Sequence, residues 1–266
     1  MFKQAGRLFS VGAIWLVCSL AHAQSPQTII QQAVDAERAG NRSDHTNWTY
    51  LELIRKPRES VRQWVATTQL VNIDRVFEKN DEKLTVPEQR ELIDRFIHDE
   101  KAQKKQLAES DHDYKQIDDF LKLLPNAFLW TQTGATPTTI LLHFEPDPAF
   151  HPPTREARVF CGMSGDVAID RRQHRIASMS GLLTRDVTFG GGLLGRLKKG
   201  SSFSLEQTDV GKISWQLTGI HVHLEGSALL FKSVSLQEDD ERSKFQPEPS
   251  DASLRDAVAF AMRQPD

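Results

Sequence analysis

The second half of the chain alternates apolar and polar residues with a period of two. The clearest run is IHVHLE at 220–225, and similar runs recur across 128–236. Successive side chains of a strand point to opposite faces, so this alternation is typical of strands buried on one side. Short turns separate the runs. The pattern therefore predicts an antiparallel meander with one apolar face.

Other segments have helical spacing. Residues 26–39 form one amphipathic pattern, and a second helix is predicted to start at Pro87, a residue suited to a first helical turn. A third segment carries an apolar stripe at positions i, i+3, i+6, i+7 and i+10, and Pro125 is predicted to end it. The stripe consists of Tyr114, Ile117, Phe120, Leu121 and Leu124.

Further strands are predicted over 48–54, 61–71 and 73–78, which are rich in β-branched and aromatic residues. The predicted order is helix, strands, two helices and a long meander. This order predicts a single α+β domain in which helices pack on the apolar face of a curved antiparallel sheet.

The first 23 residues have the pattern of a cleavable export signal. Lys3 and Arg7 precede an apolar stretch over 8–20, and Ala-His-Ala at 21–23 is a small-x-small cleavage site. The apolar stretch is too short to span a bilayer stably, and no other window is long and apolar enough. The mature chain is therefore expected to start at Gln24 and to work in the periplasm or outside the cell.

Two alternatives concern the same segment. Residues 1–23 can instead be read as a membrane anchor, which the short apolar run disfavours. Cys18 can be read as a lipid-modified cysteine. Such a cysteine usually follows a small residue, whereas Cys18 follows the larger Val17, which disfavours this alternative. Removal of the signal would leave Cys161 as the one cysteine, so no intramolecular disulfide is expected.

Charge and location limit the function classes. Loss of Lys3 and Arg7 with the signal lowers the formal net charge from −3 to −5, which makes a nucleic-acid partner unexpected. An exported protein also has little access to ATP or nicotinamide cofactors. No cofactor is therefore expected.

The end of the chain has a different composition. Residues 237–250 (QEDDERSKFQPEPS) are charged and contain proline, a pattern typical of a loose segment. A short helix is predicted around Leu254, Val258 and Ala261. These patterns predict one folded domain over 24–245, followed by a loose tail over 246–266 that contains the helix.

One strand face carries candidate metal ligands. Alternation places His221, His223 and Glu225 on the same face of a strand, where two imidazoles and a carboxylate can converge on a metal ion. A metal-dependent hydrolase is therefore one alternative function. A solvated polar face opposite the apolar residues is the simpler interpretation, and no metal site or catalytic residue is predicted.

Three segments resemble exported bacterial proteins of the outer-membrane lipoprotein-sorting (LolA/LolB-like) superfamily. They are GMSG-x-x-x-ID at 162–170, RDVTFGGGLLGRLKKGS at 185–201 and GSALLFKS at 226–233. The resemblance implies an unclosed half-barrel of curved antiparallel sheet with helices on its concave face. In characterised members the apolar concavity holds lipoprotein acyl chains, at about 0.8 kcal/mol per buried methylene.

The expected function is that of a non-catalytic periplasmic carrier for a lipid, a lipoprotein acyl chain or another apolar ligand. A scaffold within an envelope protein complex is the remaining alternative, and the chain is expected to be a monomer. The concave face is predicted to include the following apolar residues: Trp48, Tyr50, Phe120, Leu121, Leu124, Val187, Phe189, Phe203, Leu205, Trp215 and Leu217. Plain core packing is the alternative role for each of them.

Overall fold

The computed structural model describes residues 24–189, 195–211, 214–228 and 232–266. The predicted export signal and its cleavage site lie outside these residues. None of the helices in the described part of the chain has the length and apolar character needed to cross a membrane.

Helices begin where the sequence provides capping groups. The Ser25 hydroxyl accepts a hydrogen bond from the Thr28 backbone N–H at 3.1 Å, and Pro26 occupies the first turn. Thr85 and Ser253 each start a helix with a reciprocal capping box. The helices are α1 (Pro26–Ser43), α2 (Val86–Ile97), α3 (Glu100–Ala127) and α4 (Leu254–Met262), with a 3₁₀ helix at Glu156–Gly162.

The strands form one antiparallel sheet. They are β1 (Asn47–Lys56), β2 (Glu59–Thr67), β3 (Asn72–Lys79), β4 (Glu82–Lys83), β5 (Phe128–Ala135), β6 (Thr139–Pro146), β7 (Met163–Asp170), β8 (Ile176–Leu183), β9 (Val187–Phe189), β10 (Gly195–Leu197), β11 (Ser202–Val210), β12 (Ser214–Ala228) and β13 (Lys232–Glu248). The order in the sheet is β4-β3-β2-β1-β13-β12-β11-β8-β7-β6-β5, and the small strands β9 and β10 extend from β12.

The fold is therefore α+β with a large antiparallel sheet, as the hydrophobic pattern predicts. Strands β4 and β5 lie at opposite ends of the strand order, so the sheet is not closed into a barrel. Helix α3 differs from the prediction at its end, because it continues through Pro125 to Ala127.

The prediction of a loose segment over 237–250 is wrong. Residues up to Glu248 belong to β13, which pairs with β12 over 232–241 and with β1 over 239–248. The charged residues that suggested disorder form cross-strand ion pairs, including Arg55 with Glu241 at 2.9 Å and Lys56 with Glu238 at 3.4 Å. After β13, helix α4 buries Ala257 and Ala261 in a second cluster, so most of 246–266 is ordered.

The two faces of the sheet are covered by different helices. Helices α1 and α3 pack on one face of β5–β8, where Leu142, Phe144 and Val167 are buried with Ile30 of α1. We call this side the α1 face. Helices α2 and α4 pack on the opposite side of β2 and β3, against Ala66 and Ile73. We call it the α4 face. The expectation that the helices lie on one face is therefore correct for α1 and α3 only.

Candidate functional site

A straight row of cross-strand neighbours runs along the α1 face through eight strands. In order, from β6 to β2, it contains Leu142, Val167, Met179, Leu205, Ile220, Asp240, Ile54 and Val61. The first three are buried under α1 and α3, whereas Leu205 and Ile220 are only half-buried. Apart from Asp240, every member of the row is apolar.

Apolar surface continues beyond the row. Val222 and Leu224 follow Ile220 on the same face of β12, and Leu236 of β13 lies opposite Leu224 and is 40 % exposed. None of the described helices packs extensively on β11, β12 or β13. We call this half-buried surface the aliphatic patch, and its members are Leu205, Ile220, Val222, Leu224 and Leu236.

The predicted ligand-binding residues divide into three groups. Four are buried: Trp48 and Tyr50 beside Val65 and Phe245, and Leu124 and Val187 in the core under α1. Five are half-buried and pack against that core, namely Phe120, Leu121, Phe189, Phe203 and Leu205. Trp215 and Leu217 are half-buried near one end of β12.

Trp215 is placed by polar contacts. Its indole Nε1–H donates to Gln173 Oε1 at 2.9 Å, and the Arg175 guanidinium lies 6.0 Å from the centre of its ring. Arg175 in turn forms a buried ion pair with Glu37 of α1, with an Nη2–Oε2 distance of 2.8 Å. The α1 helix is thus joined to the end of β8 by charge-assisted hydrogen bonds.

A charged cluster adjoins the aliphatic patch on the α1 face. Arg242 lies 3.0 Å from Glu52 through Nε and donates to Asp240 Oδ2 from Nη2 at 2.7 Å. Glu52 also accepts a hydrogen bond from Gln63 at 2.6 Å, and the Arg242 guanidinium lies 5.5 Å from the centre of the Tyr50 ring. We call these five residues the Arg242 cluster.

Burial controls the electrostatics of the Arg242 cluster. Burial raises the pKa of Glu52, Arg242 opposes that rise, and Asp240 adds to it. Burial likewise raises the pKa of Tyr50. Burial works against the charged form of Arg242, but Tyr50, Glu52 and Asp240 hold its pKa above the ordinary value. The guanidinium is therefore the fixed charge of the cluster.

The opposite face of the same strands is polar. Cross-strand neighbours along the α4 face, from β6 to β13, are His143, Asp166, Ser180, Ser204, His221 and Asp239. Each end of this row holds a histidine–aspartate contact, at 2.9 Å between His143 Nδ1 and Asp166 and at 2.8 Å between His221 Nδ1 and Asp239. We call it the His–Ser row.

The candidate metal ligands share the α4 face but contact different groups. His221 faces Asp239 on β13, whereas His223 Nε2 lies 3.4 Å from Glu225. Across the described ranges, no group of three histidine, cysteine or acidic side chains is placed to hold a metal ion. The two imidazole side chains are partly exposed, at 43 % for His221 and 45 % for His223.

Two open clefts are lined mainly by polar residues. One, of about 550 Å³, lies between the end of α1 and the sheet, beside Asp44, His45, Arg175 and Trp215. The other, of about 490 Å³, lies over the His–Ser row. Neither matches the apolar concavity that the family resemblance implies. On the α1 face, the aliphatic patch is apolar surface that no described helix covers extensively.

The comparisons with known proteins are limited. No protein-family model matches the chain, and no curated protein matches it. Among solved structures, the chain is similar to the crystal structure of MucB in complex with MucA(peri), with a TM-score of 0.24 and 9 % sequence identity. That alignment covers 85 % of this chain and all of the MucB chain (100 %). At this level of similarity we base no argument on it.

The Arg242 cluster is the part of the site that sequence reasoning missed. Asp240 and Arg242 lie in the stretch that was predicted to be loose, and Glu52 sits in a strand without an obvious partner. No alternation of apolar and polar residues marks this part of β13, because residues 237–243 (QEDDERS) are all polar.

Proposed function

We propose that this protein is a non-catalytic, exported binding protein that holds a lipid, a lipoprotein acyl chain or another apolar ligand against the aliphatic patch. The observation that carries the proposal is the contrast within one row of the sheet. Leu142 and Val167 are buried under helices, whereas Leu205 and Ile220 continue the row without extensive packing by a described helix.

The chemistry of the patch suits a chain of methylene groups. Its members are aliphatic side chains on neighbouring strands about 4.8 Å apart, which gives a continuous surface rather than isolated contacts. Each methylene removed from water contributes about 0.8 kcal/mol, so a partly covered alkyl chain gains enough to bind. Contiguous exposed apolar surface of this kind often marks an interaction site.

The test is recovery of a ligand with the purified mature protein. Lipids extracted from protein isolated from the cell envelope would be identified by mass spectrometry. We expect an apolar ligand, and we expect Val222→Glu to reduce its amount at least tenfold because a charge then enters the patch. Leu182→Glu on the α4 face is the matched control and should retain the ligand. Equal recovery from both variants, or no ligand with the unchanged protein, would contradict the proposal.

A scaffold function is a second candidate, and the α4 face favours it. Leu129, Leu141 and Leu182 are 53 %, 40 % and 48 % exposed on that face, beside the His–Ser row. Exposed leucines with a polar surround are typical of a protein interface. Under this function, Leu182→Glu would abolish cross-linking to an envelope protein, whereas Val222→Glu would leave it unchanged.

A further inference from the structure

Asp240 is the one acidic residue in an otherwise apolar row. Its cross-strand neighbours are Ile54 on β1 and Ile220 on β12, and the residue is only 7 % exposed. Arg242 donates to Oδ2 from Nε and Nη2 at 3.1 and 2.7 Å. The other carboxylate oxygen, Oδ1, is buried and has no hydrogen-bond partner among the described residues. A buried carboxylate oxygen without a partner is costly, so the site is electrostatically incomplete.

The charges around Arg242 do not balance. Glu52 is 6 % exposed and shares the same guanidinium, so one cation serves two buried carboxylates. Gln63 hydrogen-bonds to Glu52 but adds no charge. The nearby Glu238 is paired with Lys56, and Asp74 adds an exposed carboxylate on the same face, opposite Val65. The cluster therefore carries surplus negative charge and is complementary to a cation.

This surplus charge lies directly beside the aliphatic patch. Ile220 is the cross-strand neighbour of Asp240, and Leu205 is the next residue along the row. An alkyl chain lying on the patch toward β13 brings its end group to the Arg242 cluster. Since Oδ1 is itself covered, the atoms around it have to move before a bound end group can contact it.

We propose that the α1 face takes amphiphiles with a cationic ammonium end group, for which Asp240 and Glu52 serve as counter-ions. This inference rests on the proposed function, because the patch has to bind the alkyl chain. It adds a specificity rule, in which an ammonium amphiphile is preferred to a neutral one and a carboxylate amphiphile is disfavoured. The Arg242 guanidinium holds both carboxylates in place and neutralises the charge of one, so a single ammonium group balances the charge that remains.

The experiment compares three amphiphiles with the same alkyl chain: dodecylammonium, dodecanol and dodecanoate. Each is titrated into the mature protein at pH 7, with the two ions below their micelle concentrations and dodecanol below its solubility limit, and binding is measured by calorimetry. We expect dodecylammonium to bind at least tenfold more tightly than dodecanol, with dodecanoate the weakest. This comparison needs no variant, so it does not depend on the folding of a mutant.

Variants then locate the effect. Asp240→Asn should lower the affinity for dodecylammonium at least tenfold and leave that for dodecanol unchanged. Asp239→Asn is the matched control, because the adjacent side chain lies on the α4 face beside His221. Urea unfolding establishes that both variants are folded.

The outcomes separate the two claims. Equal binding of dodecylammonium and dodecanol, or the same loss in both variants, would overturn the ammonium preference and leave the proposed function standing. Binding of none of the three amphiphiles would remove the proposed function, and the inference with it.

Discussion

Asp239 and Asp240 are consecutive residues of β13 in opposite environments. The Asp239 side chain is 36 % exposed and lies 2.8 Å from His221 on the polar α4 face. Asp240 lies between two isoleucines on the α1 face, with a side chain that is 10 % exposed. The desolvation free energy of the carboxylate is therefore small at Asp239 and large at Asp240, because strand alternation places one side chain in solvent and the other among apolar residues.

Two arginines extend the comparison. Arg55 pairs with Glu241 on the α4 face, and both side chains are 52 % exposed. Arg242 pairs with Glu52 and Asp240, whose side chains are 7 % and 10 % exposed. Solvent screens the first pair, whereas the two carboxylates of the second are largely buried. Ion pairs on the two faces should therefore respond to mutation by very different amounts.

The largest expected effect is that of Arg242→Met. Removal of the guanidinium leaves Glu52 and Asp240 buried without their counter-ion, which should lower the free energy of unfolding by about 3–5 kcal/mol. Arg55→Met is the matched control on the α4 face and should cost between 0 and about 1 kcal/mol. Urea denaturation of both variants measures the difference. Similar losses would show that the two faces are not distinct.

A glycine substitution tests how closely the α1 face is packed. A Cβ at Gly165 would lie 1.9 Å from the Ser180 carbonyl oxygen and 2.7 Å from the Phe144 ring. Gly165→Ala should therefore cost about 3 kcal/mol, because backbone as well as side chain has to move.

Gly219 provides the control for that substitution. Its added Cβ would meet nothing nearer than His221 Nε2 at 3.7 Å, an ordinary contact. Gly219→Ala should change the free energy of unfolding by less than about 1 kcal/mol. Thermal unfolding of both variants is the measurement, and a Gly165→Ala protein as stable as Gly219→Ala would contradict the close packing described above.

The pH dependence of stability tests the environment of Glu52. Burial raises its folded pKa above the unfolded value of about 4.3, so the folded state binds the proton more tightly. The resulting stabilisation is complete below that unfolded value and is lost as pH rises through the folded pKa. About 1.4 kcal/mol is lost for each pH unit that separates the two pKa values.

The comparison is between the unchanged protein and Glu52→Gln, each unfolded by urea from pH 4 to pH 7. The stability of the unchanged protein relative to the variant should fall as pH rises. A relative stability that rises with pH would mean that Glu52 is stabilised as a carboxylate, and that the cluster has no surplus negative charge.

The smallest effect is expected for the His–Ser row. His221→Ala removes the contact with Asp239, but both side chains are more than a third exposed. The change in the free energy of unfolding should stay within about 0.5 kcal/mol. A loss above about 2 kcal/mol in urea denaturation would show that this row is a structural element of the fold.

Local patterns in the sequence predicted which strand residues share a face, whereas features that depend on pairing between distant strands were not predicted. Period-two spacing separates Ile220 from His221 correctly, because the two faces of a strand follow from the chain alone. It does not show which helix covers which face, and α4 packs on the side opposite α1. The second half of β13 was missed because its charges are neutralised by residues nearly 190 positions away, as in the pair of Arg55 and Glu241.

The Arg242 cluster shows the same limit at the site. Glu52 and Arg242 meet only because β1 pairs with β13, which brings the first and last strands of the chain together. Trp48 and Tyr50, predicted as ligand contacts, are instead largely enclosed by Val65 and Phe245. Apolar character alone does not reveal burial by neighbouring strands, which decides which of the predicted residues remain accessible.

The position of a bound alkyl chain on the protein tests most directly whether the aliphatic patch is a binding surface. A dodecyl amphiphile with a photoreactive diazirine at its chain end would be cross-linked to the mature protein, and the labelled residues identified by peptide mass spectrometry. We expect labels on Leu205, Ile220, Val222 or Leu224 of the α1 face. Labels confined to Leu129, Leu141 and Leu182 of the α4 face, or no saturable labelling, would contradict it.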